Sequence, residues 1–205
     1  MNGITASTAL WYSSRATGIV ALVMLTAVVV LGVAVNRQSR LPGLPRFGVV
    51  GLHRSVSLLS VVFLAIHVVT AVVDPYVTLR LTDAVLPFGA SYEPLWIGLG
   101  AVSFDLMAAV IVTSLLRVRL GRPIWRAVHW LAYVSWPVAI AHGMGSSTDM
   151  QSGWLLALAI GCIVAVVAAV AWRIAGKANA APRPARVAQV FTQIRRHESV
   201  RAGGR

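Results

Sequence analysis

A chain of 205 residues that is 58% hydrophobic and only 12% charged is not an ordinary soluble domain, in which roughly half the residues are apolar and about 25% charged. Its formal net charge of +12 does not point to nucleic acid, because the cations gather at the ends of long apolar runs, as they do in a protein that crosses a membrane several times. The single cysteine, Cys162, excludes an intrachain disulfide, a thiolate cluster and covalent haem attachment through paired cysteines.

Five segments reach the roughly 20 apolar residues that span a bilayer as a helix, at about 15–35, 48–73, 94–116, 124–146 and 153–175. None alternates as a barrel strand would. The expected fold is therefore all-α, a polytopic bundle of five transmembrane helices. Its divisions are an external segment at 1–14, the transmembrane domain at 15–175, and a basic cytoplasmic tail at 176–205.

The external segment carries Trp11 and Tyr12 at the depth of an aromatic belt. Arg15 follows at the outer boundary, where it either snorkels to headgroups or meets an anionic group of a bound cofactor. The first span is too long for a signal-peptide core and has no basic residue before Arg15, so it reads as a spanning helix. Gly18 and Gly32 within it are small residues that let helices approach closely. NRQSRLPGLPR is then a short basic turn on the inside.

The second span contains His53 and His67, fourteen positions apart. On a regular helix both rings leave the same face, about 40° short of four whole turns, and stand about 21 Å apart along the axis. Ser57 and Ser60 between them leave room for a flat ligand, and Arg54 lies beside His53. The second connection, DPYVTLRLTDAVLPFGASYEP, is the longest external piece and is expected to fold over the outer mouth. Span three places Asp105 near mid-membrane, where a carboxylate must be protonated or paired. It reads either as a neutral, hydrogen-bonded acid or as a proton carrier.

The basic stretch LRVRLGRP leads into the fourth span, which includes Arg126 near its start and runs in the same direction as the second. That puts His129 level with His53, and His142 level with His67. The spacing of thirteen leaves the rings about 140° apart on a regular helix, and Pro137 is the expected place for a retwist. Ala132, Ser135 and Ala139 keep the intervening surface small. The fifth span is nearly featureless and expected to face lipid. In the tail, Val187, Val190, Phe191 and Ile194 form one side of an amphipathic helix suited to an anionic leaflet or a soluble partner.

Basic residues cluster in the first and third connections and the tail, whereas Asp74, Asp83, Glu93 and Asp149 occupy the second and fourth. The positive-inside rule then puts the amino terminus outside and the carboxyl terminus in the cytoplasm, in a multi-pass protein of the cell membrane.

Four histidines matched in depth and paired across two co-directional helices cannot converge on one zinc ion. Haem iron, by contrast, takes two axial imidazoles from opposite sides. The residues LHRSVSLLSVVFLAIH, WRAVHWLAYVSWPVAIAH and the context Trp125, His129, Tyr133 resemble the ferric reductase-like transmembrane domain, over roughly residues 10 to 175. That family includes ferric reductases, NADPH oxidases and the haem-binding subunit of the periplasmic methionine sulfoxide reductase system. The resemblance implies two b-type haems, an inner one on His53 and His129 and an outer one on His67 and His142. Arg15, Arg54 and Arg126 are candidate propionate partners. Only about 30 residues follow the last span, without a Gly-rich nucleotide fingerprint. A separate flavoprotein or quinol is therefore the expected donor, and an outer acceptor receives the electrons. The rivals are a haem-free transporter or proton pathway using Asp105 and the histidines, and a plain membrane anchor for a soluble oxidoreductase.

Overall fold

The computed structural model describes residues 2–36, 45–75 and 77–178, and every regular element among them is helical. α1 runs Asn2–Asn36, α2 Arg46–Val73, α3 Pro94–Leu115, α4 Arg117–His129, α5 Leu131–Ser146 and α6 Gly153–Ala178, with short 3-10 turns at Leu81–Ala84 and Thr148–Gln151. The helices α1 to α5 lie in the first of two units, Met1–Val167; the second, Ala168–Arg205, begins within α6. The amphipathic helix expected at 187–194 lies outside the described residues.

Four helices are long and apolar enough to cross a membrane, α1 from Thr8, α2, α3 and α6. The chain is therefore a membrane protein. Apolar length set these helices, and their bounds follow the sequence closely, except that α1 begins at Asn2 rather than near residue 15. The expectation of one unbroken fourth span over 124–146 is corrected. α4 ends at His129 and α5 begins at Leu131, and the 16 residues of α5 reach only about 24 Å against a hydrocarbon core of about 30 Å.

The break has a local cause in hydrogen bonding. The Trp130 N–H reaches Ala127 O at 3.3 Å and the Tyr133 N–H reaches Trp130 O at 3.0 Å, both i to i+3 contacts of the tighter 3-10 kind. Trp130 itself keeps helical angles, φ −66 and ψ −23. The expected retwist therefore sits at Trp130 and not at Pro137, which lies inside an uninterrupted α5. A 3-10 turn advances about 20° more per residue than an α-turn, so it carries His142 part of the way toward the side of His129. Before this, Gly121 at φ 76 and ψ 161 turns the chain, a conformation open to glycine but strained for other residues. Pro123 then starts the segment bearing Trp125 and His129.

Three registers define the bundle. Along α1 and α2, Gly18 lies against His67 and Gly32 against His53, fourteen residues on in one helix and fourteen back in the other. Along α3, Trp96 O meets His142, Ser103 Oγ donates to Ser135 O, and Trp125 Nε1 donates to Ser114 Oγ. Each advance on α3 is matched by a retreat along α5 and then α4, so the broken stretch still follows α3 from end to end. Between the two hairpins, Arg15 meets Ser147 and Thr26 meets Trp136, so α1 is antiparallel to α5 as well as to α2. α2 and α5 therefore run in the same direction, as expected. Their backbones approach far less closely than those of α1 with α2 or α3 with α5.

Four of the buried polar residues, Thr26, Ser60, Ser103 and Ser135, lie near mid-depth, one on each of α1, α2, α3 and α5. Each hydroxyl donates to a carbonyl, as a low-dielectric interior requires. Trp136 adds the inter-helix tie, donating Nε1–H to Thr26 Oγ1 at 2.9 Å. Trp136→Phe is expected to cost about 0.5–1.5 kcal/mol, read as a lowered thermal midpoint in detergent with unchanged helicity. On α6, Ala159, Cys162 and Val166 are buried on one stripe, while Trp154, Ile160 and Val164 on other faces are exposed.

Candidate functional site

The space between α2 and α5 is the candidate site. It contains a cavity of about 660 Å³, lined on α2 by Ser60, Leu64 and His67, on α5 by Ala139 and His142, and on α1 and α3 by Gly18 and Gly100 among others. That volume lies within the range of cofactor sites. The α2 surface is smooth because its small hydroxyls bond back to their own helix, Ser57 to His53 O at 2.7 Å and Ser60 to Ser57 O at 2.8 Å. Ser135, expected beside the same gap, instead faces α3 through its carbonyl and is fully buried.

At one end of the gap the rings of His67 and His142 face each other with centroids 6.3 Å apart and planes at 69°. His67 Nδ1 lies 2.8 Å from Ser14 O and His142 Nδ1 2.7 Å from Trp96 O. A carbonyl oxygen only accepts, so each Nδ1 carries the proton and each neutral ring keeps its lone pair on Nε2. A metal-binding histidine is commonly oriented in this way, by donating its other nitrogen to a backbone carbonyl. Two metal–imidazole bonds of about 2.0–2.1 Å, with each ring centre about 1 Å beyond its nitrogen, span about 6 Å. The observed separation therefore suits one metal ion shared by the two rings.

Close seats hold both rings. A Cβ on Gly18 would lie 2.9 Å from His67 Nδ1, and one on Gly100 2.8 Å from His142 Nδ1. In each case the accepting carbonyl is four residues before the glycine, one turn away on the same helix.

At the other level, fourteen residues back along α2, His53 and His129 lie close enough to interact electrostatically. Their surroundings differ. Nδ1 of each is buried without a hydrogen-bond partner. A Cβ on Gly32 would sit 3.4 Å from His53 Cε1, in ordinary contact. The His129 ring stacks on Trp125 at 5.0 Å and 29°. Among the described residues no group of three or more His, Cys, Asp or Glu side chains can hold a metal.

The rim beside His67 and His142 is polar. Arg15 is paired with Asp149, reaches Ser147 Oγ at 3.1 Å, and lies over the Trp11 ring at 4.0 Å, and it lines the same cavity as His67 and His142. The long connection also lines it, through Asp74, Val77, Leu79, Arg80 and Asp83. Asp83 is buried and accepts the Arg80 N–H at 2.9 Å. Arg54 and Arg126 are exposed, near His53 and His129 in the chain. Asp105 is half-buried in α3 and is not among the cavity-lining residues.

Sequence reasoning found the four histidines and treated Gly18 and Gly32 only as packing residues. It missed Trp96 and Gly100. The signal was present for α1, where the glycines repeat the fourteen-residue interval of His53 and His67, but α3 carries one such seat and so no repeat.

Residues 17–140 match the sequence model of a family described as ferric reductase like transmembrane component. No curated protein and no solved structure matches the chain.

Proposed function

This chain belongs to the ferric reductase like transmembrane component family, and from that premise we propose that it is a di-haem b-type cytochrome carrying electrons across the cell membrane. The observation that carries this reading is the outer imidazole pair, 6.3 Å between ring centres, with both Nδ1 protons committed to carbonyls. His67 and His142 would hold the outer haem, and His53 and His129 the inner. Held by these imidazoles, the haems would supply one-electron iron chemistry.

The polypeptide does the rest. The hydroxyls of Ser57 and Ser60 are taken up by carbonyls of their own helix, and the backbone fixes the tautomers of His67 and His142. Arg15 at the outer level and Arg54 and Arg126 at the inner are the proposed propionate partners, with Arg15 already oriented by Asp149 and Ser147. α4 and α5 together, following α3 from end to end, supply the fifth crossing. Basic Arg117, Arg119, Arg122 and Arg126 then face the cytoplasm and the Asp74, Asp83 and Asp149 end faces outward. A separate flavoprotein or quinol donor would engage the basic end, and the acceptor the acidic one.

A haem-to-protein ratio with a redox titration tests this. Two haems per chain and a reduced-minus-oxidised haem spectrum are expected. A colourless purified protein overturns the reading and restores the transporter.

A further inference from the structure

The two levels are seated differently, and the difference is chemical. At the outer level each ring donates Nδ1–H to a carbonyl, Ser14 O at 2.8 Å and Trp96 O at 2.7 Å. A glycine one turn further along the same helix meets the ring side-on, with no room for a Cβ. At the inner level neither Nδ1 has a hydrogen-bond partner, the Gly32 seat is looser, and His129 rests on an indole instead.

We propose that Gly18 and Gly100 are positioning residues for the outer imidazoles, and that the seats they form give the outer haem the lower of the two midpoint potentials. This rests on the di-haem reading. Donating Nδ1–H to a carbonyl makes the opposite nitrogen a stronger base. A more electron-donating ligand favours ferric over ferrous iron, and hydrogen bonding to the ligands is one of the protein's levers on potential. Both outer ligands donate to a carbonyl at 2.7–2.8 Å, whereas neither inner Nδ1 makes such a bond. A methyl group at Gly18 or Gly100 displaces the ring from its carbonyl, weakens that donation and raises the outer potential. At Gly32 the same methyl group fits.

The test is a spectroscopic redox titration of the purified full-length protein, for which two one-electron components are expected. His67→Ala should remove the lower-potential component and leave the higher. Gly18→Ala and Gly100→Ala should shift the lower component upward, or lose it, while the higher one stays in place. Gly161→Ala, where a Cβ meets nothing within 4 Å, should move neither. If the two glycine variants are not recovered folded, His67→Ala still decides the assignment. Survival of the lower component in His67→Ala overturns the proposal, as does an unmoved lower component in folded Gly18→Ala and Gly100→Ala. Two haems in the wild type would leave the di-haem reading intact in either case. A wild type without haem overturns both.

Discussion

On the di-haem reading, His67→Ala will lower the bound haem from two per chain to about one, because a pair of imidazoles loses half its iron ligation when one is removed. The vacancy falls at the level where the structure commits most: both rings oriented by carbonyls, facing across 6.3 Å. His53 lies fourteen residues away, about 21 Å along α2, and its level shares no side chain with the outer one. Sites at that distance are expected to respond independently. The remaining haem should therefore keep its spectrum and its potential, and His53→Ala should give the mirror result. The measurement is the haem-to-protein ratio with the reduced-minus-oxidised spectrum. Full retention of both haems in His67→Ala removes this histidine from the ligand set.

Gly145→Ala is the second large effect, and it acts through a residue that touches no metal. A Cβ there would fall within the Trp96 ring, and an indole wedged between α3 and α5 has little freedom to yield. Overpacking of this sort costs about 1–3 kcal/mol. Trp96 also carries the carbonyl that holds His142, so moving this residue unseats that ring. The expected result is a lower thermal midpoint in detergent together with faster loss of one haem on dilution. Gly51→Ala, where a Cβ meets nothing within 4 Å, should show neither change. If Gly145→Ala is as stable as the wild type and keeps both haems as long, the wedge does not support the site.

The sequence made most of the fold legible because membrane helices are set by apolar length. The predicted 94–116 and 48–73 lie within two residues of the observed Pro94–Leu115 and Arg46–Val73. Depth was legible for a similar reason, since a fixed rise per residue turns a spacing into a height. What the sequence did not show was the break within the stretch 124–146. A proline such as Pro137 advertises a helix defect, whereas the actual break at Trp130 needs only a shift from i+4 to i+3 bonding and carries no special residue type. The candidate ligands were legible, but their seats were not. Which carbonyl faces which ring depends on the register between helices, and a single chain read alone shows no such register apart from the Gly18 and Gly32 repeat.

The two cross-ties between the hairpins have one more consequence. Thr26 with Trp136 sits near mid-membrane, and Arg15 with Ser147 and Asp149 sits at the rim. Pegs at two heights forbid sliding as well as tilting. A slip of one hairpin by a single helical turn, about 5.4 Å, would break both pegs and misalign both pairs of imidazoles in the same movement. Vertical alignment of the molecule is thus all-or-none, and neither level can go out of line while the other stays true.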